Sequence, residues 1–309
     1  GGYIYVGPAG NTANNADIEY SGSGTSRLDI RGGNVFVNGQ IRRPVATTNG
    51  ILNYSQSGGN LFIYGNNATA TKAKLEILNE RSSFSMSGGT ITIVRGGGTT
   101  YGDLYLRPEI KSVTGGTVIF SQTPAAGPVI DAVQNYSLDV NFSLNDLTIA
   151  GKTAATSRTA TLNLMVSPLS LEGSLTLTNN QSILNTNNLN VSLKGNLNNS
   201  GTYNYGTNRT IFNGGTQSIT GTSATDFFDL DVSAVTSLSA NGSFTVFHDL
   251  NITSGNLVLT SSLVTLNGNL TNNGSFTDNN TTGGVALTGT SQQQITGTGS
   301  FGRLTVNNA

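Results

Sequence analysis

Four phrases in the first half of the chain repeat one arrangement of glycine, polar and large apolar residues. They read GGNVFV (32–37), GGNLFI (58–63), GGTITI (88–93) and GGTVIF (115–120), so the shared pattern is G-G-[NT]-h-x-h, where h is large and apolar. Successive side chains of a β-strand point to opposite faces, so the two h positions share one face. Because both h columns are wholly apolar, we predict four strands whose h residues point into a core.

The regular return of these phrases predicts a solenoid. They begin at Gly32, Gly58, Gly88 and Gly115, and the glycine pair suits a sharp corner where φ is positive. We therefore expect an all-β fold, a parallel and right-handed β-helix solenoid with coils of about 20–30 residues. Asn, Ser and Thr at the corners are expected to satisfy backbone groups and to stack as ladders. A string of β-sandwich domains, repeating at roughly 75–100 residues, is the alternative.

The second half of the chain repeats different phrases. L-x-G-x-L begins at Leu171, Leu193 and Leu266, and a longer block that begins at Gly195 matches one that begins at Gly268. We interpret this block as about three coils. The stretch with Pro124 and Pro128 is irregular in pattern and predicts a junction. The expected segments of a single continuous solenoid are 1–121 (coils with the glycine-pair phrase), 122–145 (junction or side loop) and 146–309 (continued coils).

The amino-acid composition excludes several classes of function. Only 10% of the 309 residues are charged, the net charge is −1, and there is no cysteine. The chain has no basic run of the kind that binds nucleic acid, and no apolar run is long enough for a membrane span. The absence of cysteine excludes disulfides and suits a bacterial secreted protein that does not use them. The chain begins with glycine and stops at RLTVNNA, within a repeated phrase, so we expect a processed or trimmed piece of a longer protein.

The best candidates for acid–base chemistry are three aspartates, Asp226, Asp229 and Asp231. Parallel β-helices include polysaccharide lyases and glycosidases, and sugar hydrolysis uses two carboxylates about 5–10 Å apart. Asp229 and Asp231 would share one face of a strand. However, Arg303 and Thr305 occupy the matching positions of the next block, and a position that accepts such different residues usually lies on a solvated outer face. We therefore predict no catalytic residues and keep these three aspartates as the least implausible set.

The single histidine, His248, lies in VFHDLNI, which aligns with LEGSLTL so that His248 takes the slot of Gly173. This alignment predicts an outward-facing or corner side chain. No serine or cysteine has the context of a nucleophile beside it. The patterns of calcium-binding β-rolls, EF-hands and nucleotide-binding loops are missing. We therefore predict no metal site and no cofactor.

The residue between the two h positions is Phe36, Phe62 or Ile119 in three of the four phrases. If the h residues point inward, these three face outward and form an apolar stripe. An exposed stripe of this kind marks a partner surface, and aromatic rings in it suit a sugar ligand. The alternative is that a loop or a second domain covers the stripe.

Two predicted strands carry charges at alternating positions. The charged residues are Arg27, Asp29 and Arg31 in the first strand and Lys72, Lys74 and Glu76 in the second. Opposite charges on neighbouring positions of one strand face stabilise a sheet modestly. We expect both sets to face solvent.

The phrase FNGGTQSITGT (212–222), followed by FFDLDVS (227–233), resembles the repeats of very large secreted surface proteins of Bacteroidetes-type bacteria. Many members of that group are adhesins exported by the type 9 secretion system. The match is best over residues 189–309, and the glycine-pair phrase is similar to β-helix repeats of large adhesins. The resemblance implies a β-helical protein located outside the cell or on its surface.

These observations predict an extracellular structural or adhesive protein, a segment of a long β-helical rod without catalysis. The expected partners are other copies or further segments of the same long protein, and surface polysaccharide or other cell-surface components. Nucleic acid and a membrane span are not expected. The alternative is a polysaccharide-active lyase or glycosidase, and a third hypothesis is a filament subunit that polymerises through open coil ends.

Overall fold

The computed structural model describes residues 2–8, 16–21, 24–45, 49–66, 71–154, 156–233, 236–278 and 282–307. Across these ranges the chain forms β-strands and connections, with no α-helix. The strands described here pair in parallel, as in Val35 opposite Leu61 and Leu230 opposite Leu250. The predicted all-β parallel β-helix is therefore confirmed, whereas β-sandwich domains would need antiparallel sheets. The chain divides into unit 1 (Gly1–Ser167 with Gln181–Ile183) and unit 2 (Pro168–Asn180 with Leu184–Ala309).

Unit 1 contains three ladders of parallel strands, which we number 1 to 3 in the order in which a coil visits them. Ladder 1 joins β3, β6 and the first halves of β9 and β11; ladder 2 joins β1, β4, β7, the second halves of β9 and β11, and β13; ladder 3 joins β2, β5, β8, β10, β12 and β14. The strands are β1 (Tyr3–Val6), β2 (Ile18–Glu19), β3 (Thr25–Ile30), β4 (Asn34–Val37), β5 (Ile41–Arg42), β6 (Ile51–Gln56), β7 (Asn60–Ile63), β8 (Leu75–Ile77), β9 (Ser83–Ile93), β10 (Leu104–Leu106), β11 (Ile110–Ser121), β12 (Gln134–Val140), β13 (Asp146–Ala150) and β14 (Ala160–Leu164).

The four glycine-pair phrases lie in register in ladder 2. Val35 pairs with Leu61, Leu61 with Ile91, and Ile91 with Val118. The spacings read from the sequence are thus the coil lengths of the structure. Both h columns are buried, as predicted. One coil cannot bury these residues alone, so the apolar interior forms only when coils stack.

The polar residue after three of the four glycine pairs has a structural role of its own. The Asn60 side-chain amide donates to Asn34 Oδ1 at 2.8 Å, and Thr90 Oγ1 donates to Asn60 Oδ1 at 2.8 Å. These bonds run from coil to coil and explain the preference for Asn or Thr. The second glycine of each pair has a positive φ, which L side chains adopt at a cost; these glycines are Gly33 (φ 72°), Gly59 (70°), Gly89 (80°) and Gly116 (88°).

Most strands of unit 2 form ladders 4 to 6, whereas Thr202–Asn204 pairs with Ser182–Asn185. Ladder 4 joins β15, β18, β21, β23, β26, β29 and β32; ladder 5 joins β16, β19, β22, β24, β27 and β30; ladder 6 joins β25, β28, β31 and β33. The strands are β15 (Leu169–Leu171), β16 (Leu175–Leu177), β17 (Ser182–Asn185, with residues in both units), β18 (Val191–Leu193), β19 (Leu197–Asn199), β20 (Thr202–Asn204), β21 (Arg209–Phe212), β22 (Thr216–Thr220), β23 (Asp229–Val232), β24 (Ser237–Ala240), β25 (Phe244–Val246), β26 (Leu250–Ile252), β27 (Asn256–Val258), β28 (Leu263–Leu266), β29 (Leu270–Asn272), β30 (Ser275–Thr277), β31 (Gly284–Leu287), β32 (Ile295–Thr296) and β33 (Leu304–Val306).

The long sequence repeat of unit 2 does not match a whole number of coils. The block that begins at Gly195 contains Leu197, and the matching residue of the block from Gly268 is Leu270. Leu197 lies in ladder 5, whereas Leu270 lies in ladder 4. Along the chain Leu270 falls between β27 and β30, two successive strands of ladder 5. The interpretation of the block as three whole coils is therefore wrong, because matching residues of the two blocks lie in different ladders.

The segment predicted as a junction is only partly irregular. Residues 122–133 contain no strand, consistent with the prolines at 124 and 128. Gln134–Val140, by contrast, forms β12 and pairs in parallel with β10 and β14. The division between the two compact units falls after Ser167, beyond this segment.

Side chains at the corner before ladder 4 bond to the backbone of the next coil. Asp229 Oδ1 accepts from the backbone N–H of Asp249 at 3.0 Å, Asp249 Oδ1 from Asn269 at 2.9 Å, and Asn269 Oδ1 from Gln294 at 2.9 Å. We call these four residues the corner ladder. Backbone donors at a tight corner have no strand partner, so a short side-chain acceptor satisfies them. The predicted ladders of Asn, Ser and Thr occur elsewhere in unit 2, where Ser174 Oγ accepts from the Asn196 N–H at 3.0 Å and Asn196 Oδ1 from the Ser218 N–H at 2.9 Å. In the corner ladder, two of the three acceptors are aspartates instead.

We predict that positive φ and contact with the preceding coil limit substitution in the glycine pairs. The first glycines Gly58, Gly88 and Gly115 also lie against backbone of that coil, whereas Gly32 does not. Gly89 has φ +80°, and a Cβ there would lie 2.7 Å from the Gly58 carbonyl carbon, whereas a Cβ at Gly32 would meet nothing within 4 Å. Gly89→Ala should lower the free energy of unfolding by about 2 kcal/mol or more. Gly32→Ala, the matched control, should change it by less than about 1 kcal/mol. Urea unfolding of both variants checks this, and equal losses would contradict it.

A second prediction concerns the corner ladder. Asp249→Ala removes the acceptor for the Asn269 N–H and should cost about 1 kcal/mol of unfolding free energy. Asp249→Asn keeps a side-chain oxygen at that position and should retain most of the stability. Thermal unfolding of the two variants is the measurement. A loss as large in Asp249→Asn as in Asp249→Ala would show that the charge, not the hydrogen bond, is what matters.

Candidate functional site

The three candidate aspartates lie in β23 or just before it, and each carboxylate bonds to the following coil. Asp226 Oδ1 accepts from the backbone N–H of Thr245 at 2.7 Å. Asp229 Oδ1 accepts from the backbone N–H of Asp249. Asp231 Oδ1 accepts from the side-chain amide of Asn251 at 2.8 Å. These acids therefore hold coils together as well as facing solvent.

A cation and an imidazole complete this cluster. Arg209, which pairs with Asp229 across ladder 4, places its guanidinium 3.5 Å from Asp231 Oδ2 and 4.0 Å from Asp229 Oδ2. His248 Nδ1 lies 2.7 Å from Asp229 Oδ1. The hydrogen bond to Asp229 favours the imidazolium and raises the pKa of His248 above its usual range. Asp229 is thus the centre of the polar cluster.

Two aromatic stacks lie in the coils that carry these polar groups. The Phe228 ring stacks on the His248 ring with centroids 5.0 Å apart and an interplanar angle of 12°. The Tyr205 ring stacks on the Phe247 ring at 5.7 Å and 22°. Phe247 is 44% exposed although it is a large apolar residue. Hence partly exposed rings and charged groups share one corner, and we define the corner patch as Tyr205, Arg209, Phe228, Asp229, Phe247 and His248.

Sequence reasoning found Asp229 and His248 but did not place them together. It aligned His248 with Gly173, whereas the backbone N–H of His248 donates to the carbonyl of Phe228 in the preceding coil. The signal that could have found this pair is the match of FFDLDV (227–232) with FHDLNI (247–252). The offset between these two phrases is one coil of this part of unit 2, since the leucines of the two phrases pair in the sheet. The prediction that His248 faces outward is confirmed, because the residue is exposed.

Three groups of the cluster have a spacing that suits a cation. Asp229, His248 and Asp249 each offer one ligand atom, and these atoms lie within 4.8 Å of one another. However, Asp229 Oδ1 and Asp249 Oδ1 already accept backbone N–H groups, and His248 Nδ1 bonds to Asp229. These three ligand atoms are therefore already engaged in hydrogen bonds within the protein.

The expected outward stripe of Phe36, Phe62 and Ile119 is not open to solvent. Phe36 is 3% and Phe62 1% exposed, and the two rings stack at 5.0 Å. They pack with Tyr64, Val94 and Ile130, and Ala126 lies against this group. Because Ala126 and Ile130 belong to the strand-free segment 122–133, the structure shows the covering-loop alternative. Ile119 is half-buried. The exposed-surface interpretation of Phe36 and Phe62 is thus corrected.

The second set of alternating charges is also buried, contrary to the sequence-based expectation. Lys72, Lys74 and Glu76 are 7%, 3% and 0% exposed. Arg43 Nε lies 2.6 Å from Glu76 Oε1, and Lys74 Nζ lies 3.6 Å from Asp103 Oδ1. All three residues of β8 are buried, so both faces of this strand are packed and alternation no longer marks a wet face. The first set behaves as predicted: the ion pairs of Asp29 with Arg27 and Arg31 lie at the surface.

Comparisons with protein-family models, with curated proteins and with solved structures found no match for this chain. Across the described ranges, no helix has the length and apolar character needed to cross a bilayer.

Asp103 should make stability depend on pH. Burial raises its pKa to about 6 from 3.8, against the opposing effect of Lys74. A raised pKa means that the stabilising contribution is complete below about pH 4 and is lost as the pH rises through about 6. The free energy of unfolding of the wild type relative to Asp103→Asn should fall by about 2 kcal/mol between pH 4 and pH 7.

The control for this titration is Asp131→Asn. Asp131 is exposed, and its hydrogen bond with Lys152 lowers its pKa. Its contribution should therefore have the opposite sign and should weaken as the pH falls. Urea unfolding at several pH values measures both effects. A flat difference between the wild type and Asp103→Asn from pH 4 to pH 7 would contradict the assignment.

Proposed function

We propose that this chain is an extracellular structural or adhesive segment of a long β-helical rod that performs no catalysis. The main support for the proposal is the structural role of the three candidate aspartates. Asp226, Asp229 and Asp231 each bond to a group of the next coil, so they serve coil stacking. Stacked coils with continuous backbone pairing give a stiff body that resists proteolysis, which is what a surface-exposed support requires.

Composition and resemblance support the location and the partners. A chain without cysteine and with only 10% charged residues suits a bacterial surface layer, and the FNGGTQSITGT phrase resembles repeats of secreted surface proteins. The proposed partners are further segments or copies of the same protein and polysaccharide or other components of the cell surface. Export by the type 9 system and assembly into filaments through coil ends belong to the same proposal.

A polysaccharide-active enzyme is the second candidate, and one observation favours it. His248 and Asp229 are in hydrogen-bond contact beside the exposed ring of Phe247. A hydrogen-bonded imidazole–carboxylate pair is a common acid–base unit in catalysis. The corner patch is where such an activity would be located.

The two candidates are separated by a turnover assay. The purified chain is incubated with neutral and acidic polysaccharides, and reducing ends and unsaturated products are measured. We expect no product above the level of a buffer control. Turnover that disappears in Asp229→Ala but persists in Asp29→Ala, an aspartate at the surface of unit 1, would overturn the structural proposal in favour of the enzyme.

A further inference from the structure

We propose that the corner patch binds a neutral oligosaccharide. This inference deepens the proposed adhesive function and rests on it, because it names the class of ligand that the surface would hold. Carbohydrate recognition combines flat apolar surface, against which the C–H face of a sugar ring packs, with a few fixed polar groups that bond its hydroxyls. The corner patch offers both.

The aromatic part of the patch is exposed and held in place. Tyr205 stacks on Phe247, and Phe228 stacks on His248, so neighbouring rings restrict the rotamers of one another. A preorganised ring loses little conformational entropy when a ligand packs on it. Phe247 is 44% exposed, which gives the patch an accessible apolar surface that stacking within the protein does not cover.

The stack of Phe228 and His248 ends at one coil for a steric reason. The next coil has Gly268 at the corresponding corner position, and a Cβ there would collide with the carbonyl oxygen of His248. No side chain of that coil therefore extends from Gly268 over the imidazole. The His248 side chain is 52% exposed, so the ring remains accessible at the end of the stack.

Polar groups for hydroxyl recognition lie beside the rings. The Arg209 side chain is 46% exposed, and its contacts with Asp229 and Asp231 are 3.5 Å or longer, so its N–H groups are available as donors. Asp229 and Asp231 are fixed by bonds to the next coil and still have acceptor capacity on their second oxygens. Donors and acceptors in fixed positions match the paired hydroxyls of a sugar.

The charge of this corner selects against acidic ligands. Asp229 and Asp231 lie near Arg209, and Asp229 and Asp249 lie near His248. With Asp226, which bonds to the Thr245 N–H, four carboxylates stand against one guanidinium and one imidazole, so the region is negative in either state of His248. Uronic acid polymers and nucleic acids would be repelled. Rings beside a negative, hydroxyl-bonding surface therefore favour a neutral sugar.

A cleft nearby favours a chain over a single sugar. It has a volume of about 280 Å³ and is lined by residues 219–225 and 241–244, among them Thr222, Ser223 and Asn241. β25 (Phe244–Val246) separates this cleft from Phe247, and three strand residues span about 10 Å. A ligand that uses both the rings and the hydroxyl-lined cleft must therefore be longer than one sugar ring.

The test is calorimetric titration of the full chain with maltohexaose, cellohexaose, mannohexaose and xylohexaose, with glucose and a galacturonate hexamer as comparison ligands. At least one neutral hexasaccharide should bind, at least about tenfold more tightly than glucose or the galacturonate. Phe247→Ala should weaken that binding about tenfold or more, equivalent to about 1.4 kcal/mol. Phe247→Tyr keeps the ring and should bind within about threefold of the wild type.

Phe301→Ala is the matched control, because Phe301 is 43% exposed in the same unit but lies outside the patch. It should bind like the wild type. If Phe247→Ala does not fold, His248→Ala tests the other ring and should also lose binding. The inference is overturned if no neutral hexasaccharide binds, if Phe301→Ala and Phe247→Ala weaken binding equally, or if the galacturonate binds best. Binding accompanied by turnover would support the site while overturning the non-catalytic function.

Discussion

Every feature of this protein depends on the contact between one coil and the next. A single coil leaves its strand N–H and C=O groups without partners and its apolar side chains only half covered. Parallel pairing satisfies the strands, and side-chain oxygens such as those of Asp229 and Asp249 satisfy donors at a corner where no strand partner exists. Asn34 and Asn60 join successive coils after the glycine pairs. The polar composition of the chain is therefore a requirement of stacking.

The same constraint generates the corner patch. Residues that occupy one corner in successive coils become neighbours at the spacing of β-strands, about 4.8 Å, whatever their distance along the chain. Phe228 and His248 are stacked for this reason, and Asp229 contacts Arg209 on one side and His248 on the other. Three coils thus build a surface that none of them contains alone. A solenoid gains a site when adjacent coils vary the residues at one corner.

Alternation of apolar and polar residues predicted the strands and the register of ladder 2. Only one register aligns the h positions of all four glycine-pair phrases and points them into the core. It did not predict what lies outside a coil. Phe36 is covered by a segment from much later in the chain, and Glu76 is buried by Arg43 from an earlier coil. Contacts of this kind produce no periodic pattern in the sequence. His248 lies away from its predicted position for another reason: successive coils repeat at the shorter offset, from FFDLDV to FHDLNI, and not at the offset of the long repeat.

The movement of a repeated phrase from ladder 5 to ladder 4 has a consequence for how such a chain grows. All three faces of unit 2 accept the same alternation of leucine-like and polar residues, so a tandem gene duplication need not contain an integral number of turns to remain foldable. A copied stretch can enter the stack rotated by one face and still line the interior. Lengthening by unequal recombination is therefore tolerated at many breakpoints, and each copy presents its surface residues in a new direction.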